Sequence, residues 1–189
     1  GPVASANIER PIDVHVVGAD VYVTQQYGQN LRRISGGQVT TISGVGKADQ
    51  ITADSSGNIY LANWEDRVIR KVTAAPNFSV SILAGAQGNT GNIDDTGGAA
   101  RFDNPTGITY DAFSDALYVA QPGNHRIRKV TLAGVVTTLS GTNSGDTDGN
   151  LPSVGRFNSP YSIISDGFGS IYVVQKDRHN IREITLPSS

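Results

Sequence analysis

The stretch that decides the fold reads Ala116-Leu-Tyr-Val-Ala-Gln121, then Arg126-Ile-Arg-Lys-Val130, then Val135-Val-Thr-Thr-Leu-Ser-Gly141. The same succession recurs along the chain, with a tyrosine in the first segment and an arginine in the second. The equivalent residues are Tyr22, Tyr60, Tyr118 and Tyr172, and Arg32, Arg70, Arg128 and Arg182. Both series are spaced by 38, 58 and 54 residues. Two residue types that keep one register over four cycles indicate an internal structural repeat.

Each repeat has the pattern of four short strands. In the third repeat, residues 105–111, 116–120, 126–130 and 135–139 alternate or run apolar between turn signals. The turns at Asp54 to Gly57 and at Asp166 to Gly169 combine an aspartate that opens the turn with a glycine that accepts positive φ. Units of four antiparallel strands that cannot bury their own faces are typical of propeller blades. We therefore predict an all-β fold, a β-propeller of four blades in a single domain, with repeats at about 7–47, 48–102, 103–157 and 158–189.

The fourth repeat stops near Thr185, without the outer strand of the other repeats. We expect the N-terminal strand at residues 3–6 to supply it and to close the ring, because closure hides two sheet edges. The alternative is a partial propeller that a second copy or another chain completes. Between the blades we expect Tyr60, Tyr118 and Tyr172 to be largely buried, and Tyr22, in the shortest repeat, to be more exposed.

Composition excludes several kinds of site. The chain of 189 residues has no cysteine, so a disulfide framework, a cysteine nucleophile and a cysteine metal site are all excluded. Its formal net charge is −2, and the 15 basic residues are spread through the repeats, which argues against a nucleic-acid partner. No apolar run approaches 18 residues, so direct membrane insertion is not expected.

The third repeat also carries a family resemblance. Phe102-Asp-Asn-Pro-Thr-Gly-Ile-Thr-Tyr-Asp111, followed by Asn124-His125 and the strands quoted above, resembles the NHL repeat. The connections at 91–102 and 145–157 are similar to those of the longer NHL subtype, whereas the first repeat departs from the pattern with Gly28-Gln-Asn30. The resemblance implies a propeller, mostly of six blades in that family. It also implies a recognition scaffold for proteins, RNA or glycans, or less often a lyase or hydrolytic enzyme.

Histidines and aspartates offer little for catalysis or metal binding. His125 and His179 share one repeat position with Arg67, which favours a turn role. His15 occupies a packing slot of an inner strand. Asp146 to Asn150 resembles the start of a calcium loop, but Phe157 stands where that loop needs its bidentate glutamate. We therefore predict no catalytic residue, no metal site and no cofactor.

One repeated feature suggests a ligand site. An amide residue follows the second strand of every repeat, and the same loops carry two aromatic residues, so the candidate ligand-binding residues are Gln25, Tyr27, Asn63, Trp64, Gln121 and Gln175. Amides donate and accept hydrogen bonds without bringing charge, and aromatic faces stack on neutral ligands. The alternative, that the amides only cap turns, stays open.

Two functional classes follow from the sequence. The favoured one is a non-enzymatic recognition module that binds a protein or glycan partner through the loop face, in cell-surface adhesion, with an extracellular or cell-surface location. The sequon Asn77-Phe-Ser79 is compatible with that location. The alternative is a lyase or hydrolase-type enzyme on the same fold. The sequence indicates neither the oligomeric state nor the identity of the ligand.

Overall fold

Four antiparallel sheets make up the computed structural model of the chain, which describes residues 1–26, 28–141, 143–149 and 155–187. Three sheets have four strands, and the described part of the last has three. Strand order within each sheet follows the chain, so every sheet is a meander. Radially repeated meanders of this size are propeller blades. The predicted all-β, four-bladed propeller is thus confirmed.

The blades are numbered in chain order, and each runs from its inner to its outer strand. Blade 1 comprises β1 (Pro11–Val17), β2 (Asp20–Gln25), β3 (Leu31–Ser35) and β4 (Gln38–Ile42). Blade 2 comprises β5 (Ile51–Ala53), β6 (Ile59–Asn63), β7 (Val68–Val72) and β8 (Val80–Ala84). Blade 3 comprises β9 (Gly107–Asp111), β10 (Ala116–Gln121), β11 (Arg126–Thr131) and β12 (Val136–Ser140). Blade 4 comprises β13 (Pro160–Ser165), β14 (Ser170–Gln175) and β15 (Asn180–Thr185). The described residues also include three short 3-10 helices, at Val3–Ser5, Gly97–Ala99 and Lys176–Arg178.

The apolar core is divided among the blade interfaces. Successive side chains of a strand point to opposite faces of the sheet, so each second strand serves both neighbouring blades. Separate clusters lie between blades 1 and 2, blades 2 and 3, and blades 3 and 4. Each unites a tyrosine with an apolar residue of the next blade: Tyr22 with Leu61, Tyr60 with Leu117, and Tyr118 with Ile171.

A single side chain ties three inner strands together at the axis. Gln50 Oε1 accepts hydrogen bonds from the backbone N–H groups of Ile108, at 3.0 Å, and Ile163, at 3.3 Å. Its Nε2 donates to Ser162 Oγ at 3.1 Å. The close approach requires Gly107, because a Cβ there would lie 3.1 Å from Gln50 Oε1 and 2.7 Å from a carbonyl oxygen at the start of β13. Blades 2, 3 and 4 are therefore held in register at the entrance to the axis.

The expected strand closure by the N-terminus is wrong. Val3–Ser5 is a 3-10 helix, and the residues before it lie along the outer edge of blade 1. Val39 N–H donates to the Gly1 carbonyl at 2.8 Å, and Val3 N–H donates to the Gly37 carbonyl at 3.2 Å. The N-terminus thus satisfies backbone groups of β4, the edge nearest to it. Among the described residues, no apolar cluster joins blade 4 to blade 1.

Two of the four tyrosine predictions are wrong, and the missing fourth interface explains one of them. Tyr60 and Tyr118 are buried as predicted. Tyr172 is 36% exposed, because it lies on the face of blade 4 that points away from blade 3. Tyr22 is only 2% exposed, because it faces blade 2 and packs its ring edge-on against Phe78, with centroids 6.5 Å apart.

Candidate functional site

The four amides of the predicted site lie on one face of the propeller. Each is the last residue of the second strand of its blade: Gln25, Asn63, Gln121 and Gln175. Strand pairing fixes the face, because Gln25 is opposite Pro11 and Gln175 is opposite Pro160, the first residues of inner strands. The amides therefore share the face on which the inner strands begin.

Their side chains are buried and bonded within the blades. Asn63 Nδ2 donates to the Val45 carbonyl at 2.6 Å, and Gln25 Nε2 donates to the Glu9 carbonyl at 3.1 Å. In the other two blades the amide donates to loop residues as well, Gln121 to the Asp103 carbonyl and Gln175 to Asp146 Oδ1. Each amide thus fastens the loop that enters its blade, and only Gln25 also borders the cleft described next. Tyr27 lies outside the described residues.

A different set of residues encircles the axis. Strand pairing makes four residues of the inner strands equivalent: Val14, Ile51, Ile108 and Ile163. The residues two positions before them form a set that we call the axial ring: Ile12, Asp49, Thr106 and Tyr161. The axial ring differs in chemistry from blade to blade, with an alkyl group, a carboxylate, a hydroxyl and a phenol. Thr106 Oγ1 donates to the Tyr161 carbonyl at 2.7 Å, which links two neighbouring members.

The axial ring forms one side of a cleft of about 380 Å³. The remaining lining comes from the loops after the second strands and from the segments that enter the inner strands: Gln25, Gln26, Lys47, Ala48, Trp64, Asn104 and Pro122. Clefts of roughly 300–1,000 Å³ that combine apolar walls with a few polar groups are the usual sites for small ligands. All four blades contribute to this one.

Trp64 provides one aromatic wall of the cleft. It follows β6 directly and is 38% exposed, although most large apolar side chains of blade 2 are buried. The Lys47 ammonium lies 5.9 Å from the centre of the indole ring and also pairs with Glu65 at 2.9 Å. This charge is therefore already compensated beside the ring.

Tyr161 provides the second aromatic wall, and it is also 38% exposed. Its hydroxyl donates to Asp49 Oδ2 at 3.0 Å, and the Lys176 ammonium lies 5.1 Å from the ring centre. Burial raises the pKa of Asp49, although the hydrogen bond from Tyr161 opposes that shift. Burial and the neighbouring carboxylate raise the pKa of Tyr161. The pair is a phenol hydroxyl that donates to a carboxylate oxygen.

Two amides of the cleft keep hydrogen-bonding capacity for a ligand. Gln26 Oε1 accepts from Arg10 Nη1 at 3.2 Å, but its NH₂ group donates to no atom of the described residues. Asn104, held at φ +47°, likewise makes no side-chain hydrogen bond within the described part of the chain. Sequence reasoning missed both, together with the axial ring, because none of them repeats in type.

The acidic residues of the two long loops have a structural role. Asp94 Oδ1 accepts from Arg128 Nη2, and Asp148 Oδ1 accepts from Arg182 Nη2, each at 2.5 Å. Burial alone would raise the pKa of Asp94, but hydrogen bonds from Thr138 and the Arg128 guanidinium outweigh it and lower that pKa. Each loop therefore supplies the counter-ion for the arginine in the third strand of the blade that the loop leads into.

The histidines occupy turn and packing positions. His125 and His179 have φ of +59° and +53°, at the repeat position that Arg67 and Gln29 also fill with positive φ. His15 is half-buried in β1, and burial lowers its pKa. No group of three metal-ligating side chains occurs among the described residues. In the same residues, no helix is long and apolar enough to cross a membrane.

Comparison with known proteins supports the resemblance to NHL repeats. No protein-family model matches the chain. NHL repeat-containing protein 2 of Bos taurus is 29% identical over 136 residues, which cover 68% of this chain and 19% of that protein. An auxiliary nutrient binding protein of Bacteroides thetaiotaomicron superposes with a TM-score of 0.76 at 21% identity, over 90% of this chain and 46% of that one. These likenesses and the fold support an NHL-repeat β-propeller.

Its structural neighbours include an enzyme. The propeller superposes on virginiamycin B lyase of Staphylococcus aureus, in a structure with quinupristin, with a TM-score of 0.68. Identity there is 15%, over 95% of this chain and 53% of the lyase. At that identity the likeness concerns the fold alone. The chain spans about a fifth of the NHL repeat-containing protein and about half of these solved structures.

Proposed function

We propose that this NHL-repeat propeller is a non-enzymatic recognition module whose axial cleft holds a short, neutral glycan segment. The observation that carries the proposal is the pair of exposed aromatic walls, Trp64 and Tyr161, across a cleft that also presents the amide groups of Gln26 and Asn104. Aromatic faces pack against the C–H face of a sugar ring, and amides match its hydroxyl groups.

The charges of the cleft favour a neutral ligand. Lys47 is paired with Glu65 at 2.9 Å, and Asp49 accepts a hydrogen bond from Tyr161 at 3.0 Å. A charged ligand would have to displace these partners or leave a charge desolvated, which is costly. A neutral, hydroxyl-rich ligand gains hydrogen bonds without that penalty.

The comparisons are compatible with binding in general. The Bacteroides protein is named as a nutrient binding protein, and its likeness covers 90% of this chain. On this proposal the chain acts at a cell surface or outside the cell, in adhesion to glycan-bearing partners. A catalytic role would require side chains that the cleft does not bring together in the described residues.

A glycan array followed by calorimetric titration of the best ligand tests the proposal. We expect Trp64→Ala to weaken binding at least tenfold, because it removes one stacking wall. The matched control is Phe168→Ala, which removes an aromatic side chain that is 87% exposed in the β13–β14 turn, at the opposite end of the strands. Affinity should change little between low and physiological ionic strength.

Three results would contradict the proposal: no glycan bound by the wild type, unchanged affinity in Trp64→Ala, or affinity that collapses with salt. The last would indicate a charged ligand at another surface. Tyr161→Phe separates the contributions of the second wall, because it keeps the ring and removes the hydroxyl that donates to Asp49.

A further inference from the structure

Asp49 is a carboxylate of the axial cleft that has few hydrogen-bond donors around it. It is half-buried and lines the cleft. Within the described part of the chain its side chain accepts one hydrogen bond, from the Tyr161 hydroxyl to Oδ2 at 3.0 Å. A carboxylate offers about four acceptor positions on its two oxygens. Most of the acceptor capacity of Asp49 is therefore open to a donor from outside the blades.

Aspartates that stabilise the turns of the blades are surrounded by donors instead. Asp54 accepts hydrogen bonds from two backbone N–H groups, an asparagine amide and a tyrosine hydroxyl. Burial would raise the pKa of Asp111, but hydrogen bonds from Ser165 and Ser114 outweigh it and lower that pKa. For Asp49, burial raises the pKa, and the single hydrogen bond that it accepts does not offset the rise. This contrast distinguishes Asp49 from the carboxylates with a structural role.

The backbone fixes Asp49 beside the cleft. Its N–H group donates to the Ala62 carbonyl at 3.2 Å, and its carbonyl accepts from Thr24 Oγ1 at 3.3 Å. The next residue, Gln50, is bonded to β9 and β13. A side chain on so constrained a segment loses little conformational freedom when a ligand binds. The carboxylate is thus preorganised for its donor.

The surrounding charges favour hydroxyl donors over a cation. The Lys176 ammonium acts on Asp49 electrostatically, and Lys47 lines the same cleft. Asp13, which lines a small cavity at the axis together with Asp49, already accepts backbone N–H groups on both of its oxygens. A cationic ligand would meet two ammonium groups here, whereas a hydroxyl group forms a charge-assisted hydrogen bond without bringing charge.

We propose that Asp49 is the specificity-determining residue of the cleft and selects a sugar ring with two adjacent free hydroxyl groups. This inference rests on the proposed function. A sugar that stacks on the Tyr161 ring lies beside the carboxylate, because the hydroxyl of that ring is bonded to Asp49 Oδ2. Two adjacent hydroxyl groups at the edge of the sugar then donate to the open acceptor positions. A sugar that lacks one of them leaves the carboxylate underbonded, which lowers affinity.

Calorimetric titration with the best ligand of the glycan array and with its monodeoxy derivatives tests the inference on the wild type. We expect two adjacent positions at which removal of the hydroxyl group weakens binding at least tenfold. Asp49→Asn should weaken binding of the parent glycan to a similar extent and make it insensitive to deoxygenation at those positions. The matched control is Asp115→Asn, because Asp115 also accepts from a tyrosine hydroxyl, at 2.7 Å, but lies in the β9–β10 turn at the opposite end of the strands.

The pH dependence of binding separates a ligand contact from a structural role. Wild-type affinity should fall as the pH drops through the pKa of Asp49, and should approach that of Asp49→Asn, which should not vary with pH in this range. Because the hydrogen bond from Tyr161 opposes the rise of that pKa, Tyr161→Phe should move the midpoint to higher pH.

The outcomes distinguish this inference from the proposed function. A wild type that binds a glycan with an affinity independent of pH and of every single deoxygenation would overturn the role of Asp49. Unchanged affinity in Asp49→Asn would overturn it as well. Both results would leave the recognition module in place if Trp64→Ala still weakened binding. A wild type that binds no glycan would overturn the proposed function itself, and this inference with it.

Discussion

Replacing Asp94 with alanine should destabilise the propeller far more than the same change at Asp148. Both carboxylates lie 2.5 Å from the arginine of a third strand, so distance does not distinguish them. Burial does. Arg128 is fully buried and Asp94 is 44% exposed, whereas Arg182 is 14% exposed and Asp148 is 91% exposed. The two substitutions therefore compare the same kind of ion pair in a buried and in an exposed environment.

The magnitude follows from the bonds that are lost. Asp94→Ala removes the acceptor for Arg128 and for the backbone N–H and hydroxyl of Thr138. Hydrogen bonds to charged groups contribute about 1.5–3 kcal/mol each. Arg128 keeps three neutral acceptors, and solvent reaches the vacated site, so we expect a loss of about 2–3 kcal/mol for the whole substitution. Asp148→Ala should cost about 0.5 kcal/mol or less, as exposed pairs do.

Urea denaturation at several pH values measures both effects. Because the pKa of Asp94 is lowered in the folded state, its carboxylate stabilises the fold above the unfolded pKa of about 4. That contribution is lost as the pH falls through the folded pKa. The gap between wild type and Asp94→Ala should therefore be complete at neutral pH and should narrow below about pH 4.

Equal costs for the two substitutions would refute the reasoning, because burial would then not determine the strength of the pair. An Asp94→Ala variant as stable as the wild type would refute it as well. A gap that widened in acid would show that the sign of the pKa shift is wrong.

Three further outcomes are expected. Tyr118→Ala should lower the free energy of unfolding by about 3–5 kcal/mol in denaturant titration, as for other buried aromatic side chains, and a loss below about 1 kcal/mol would contradict the packing at the interface of blades 3 and 4. Gly141→Ala should be far more destabilising than Gly44→Ala at the equivalent position. Both glycines have positive φ, but only at residue 141 would the added Cβ collide with the His125 carbonyl. Equal melting temperatures of the two variants would contradict this. Deleting residues 1–6 should speed amide hydrogen exchange in β4 and leave blade 4 unchanged, whereas faster exchange in β15 would favour closure by the N-terminus.

The sequence predicted the blades because blade-forming residues recur. The tyrosine and arginine series share one spacing, and each marks a strand that the structure contains. A turn role for His125 and His179 was likewise predicted from their shared repeat position, and both residues have positive φ. Repetition fails where blades differ in their surroundings. Tyr172 matches Tyr118 in sequence, but its face has no neighbouring blade.

The cleft could be predicted only in part, for a related reason. Gln25, Asn63, Gln121 and Gln175 recur because every blade needs its entering loop fastened. On the proposed function, the axial ring contacts one ligand rather than four identical loops, so its residue types need not agree. Only strand pairing aligns Ile12 with Tyr161. Of the proposed site, Gln25 and Trp64 were predicted, and Trp64 was found because it lies in the same loops as the repeated amides.

The bonds of Gln50 have a kinetic consequence for ligand capture. One side chain fixes the separation of β5, β9 and β13 beside the cleft, through two acceptor bonds and one donor bond. Widening the cleft would break these bonds together, so on the proposed function we expect the binding shape to exist before the ligand arrives. Association should then follow a single exponential whose rate rises linearly with ligand concentration, without a slow isomerisation. A shortened side chain, as in Gln50→Asn, should introduce a second, concentration-independent phase.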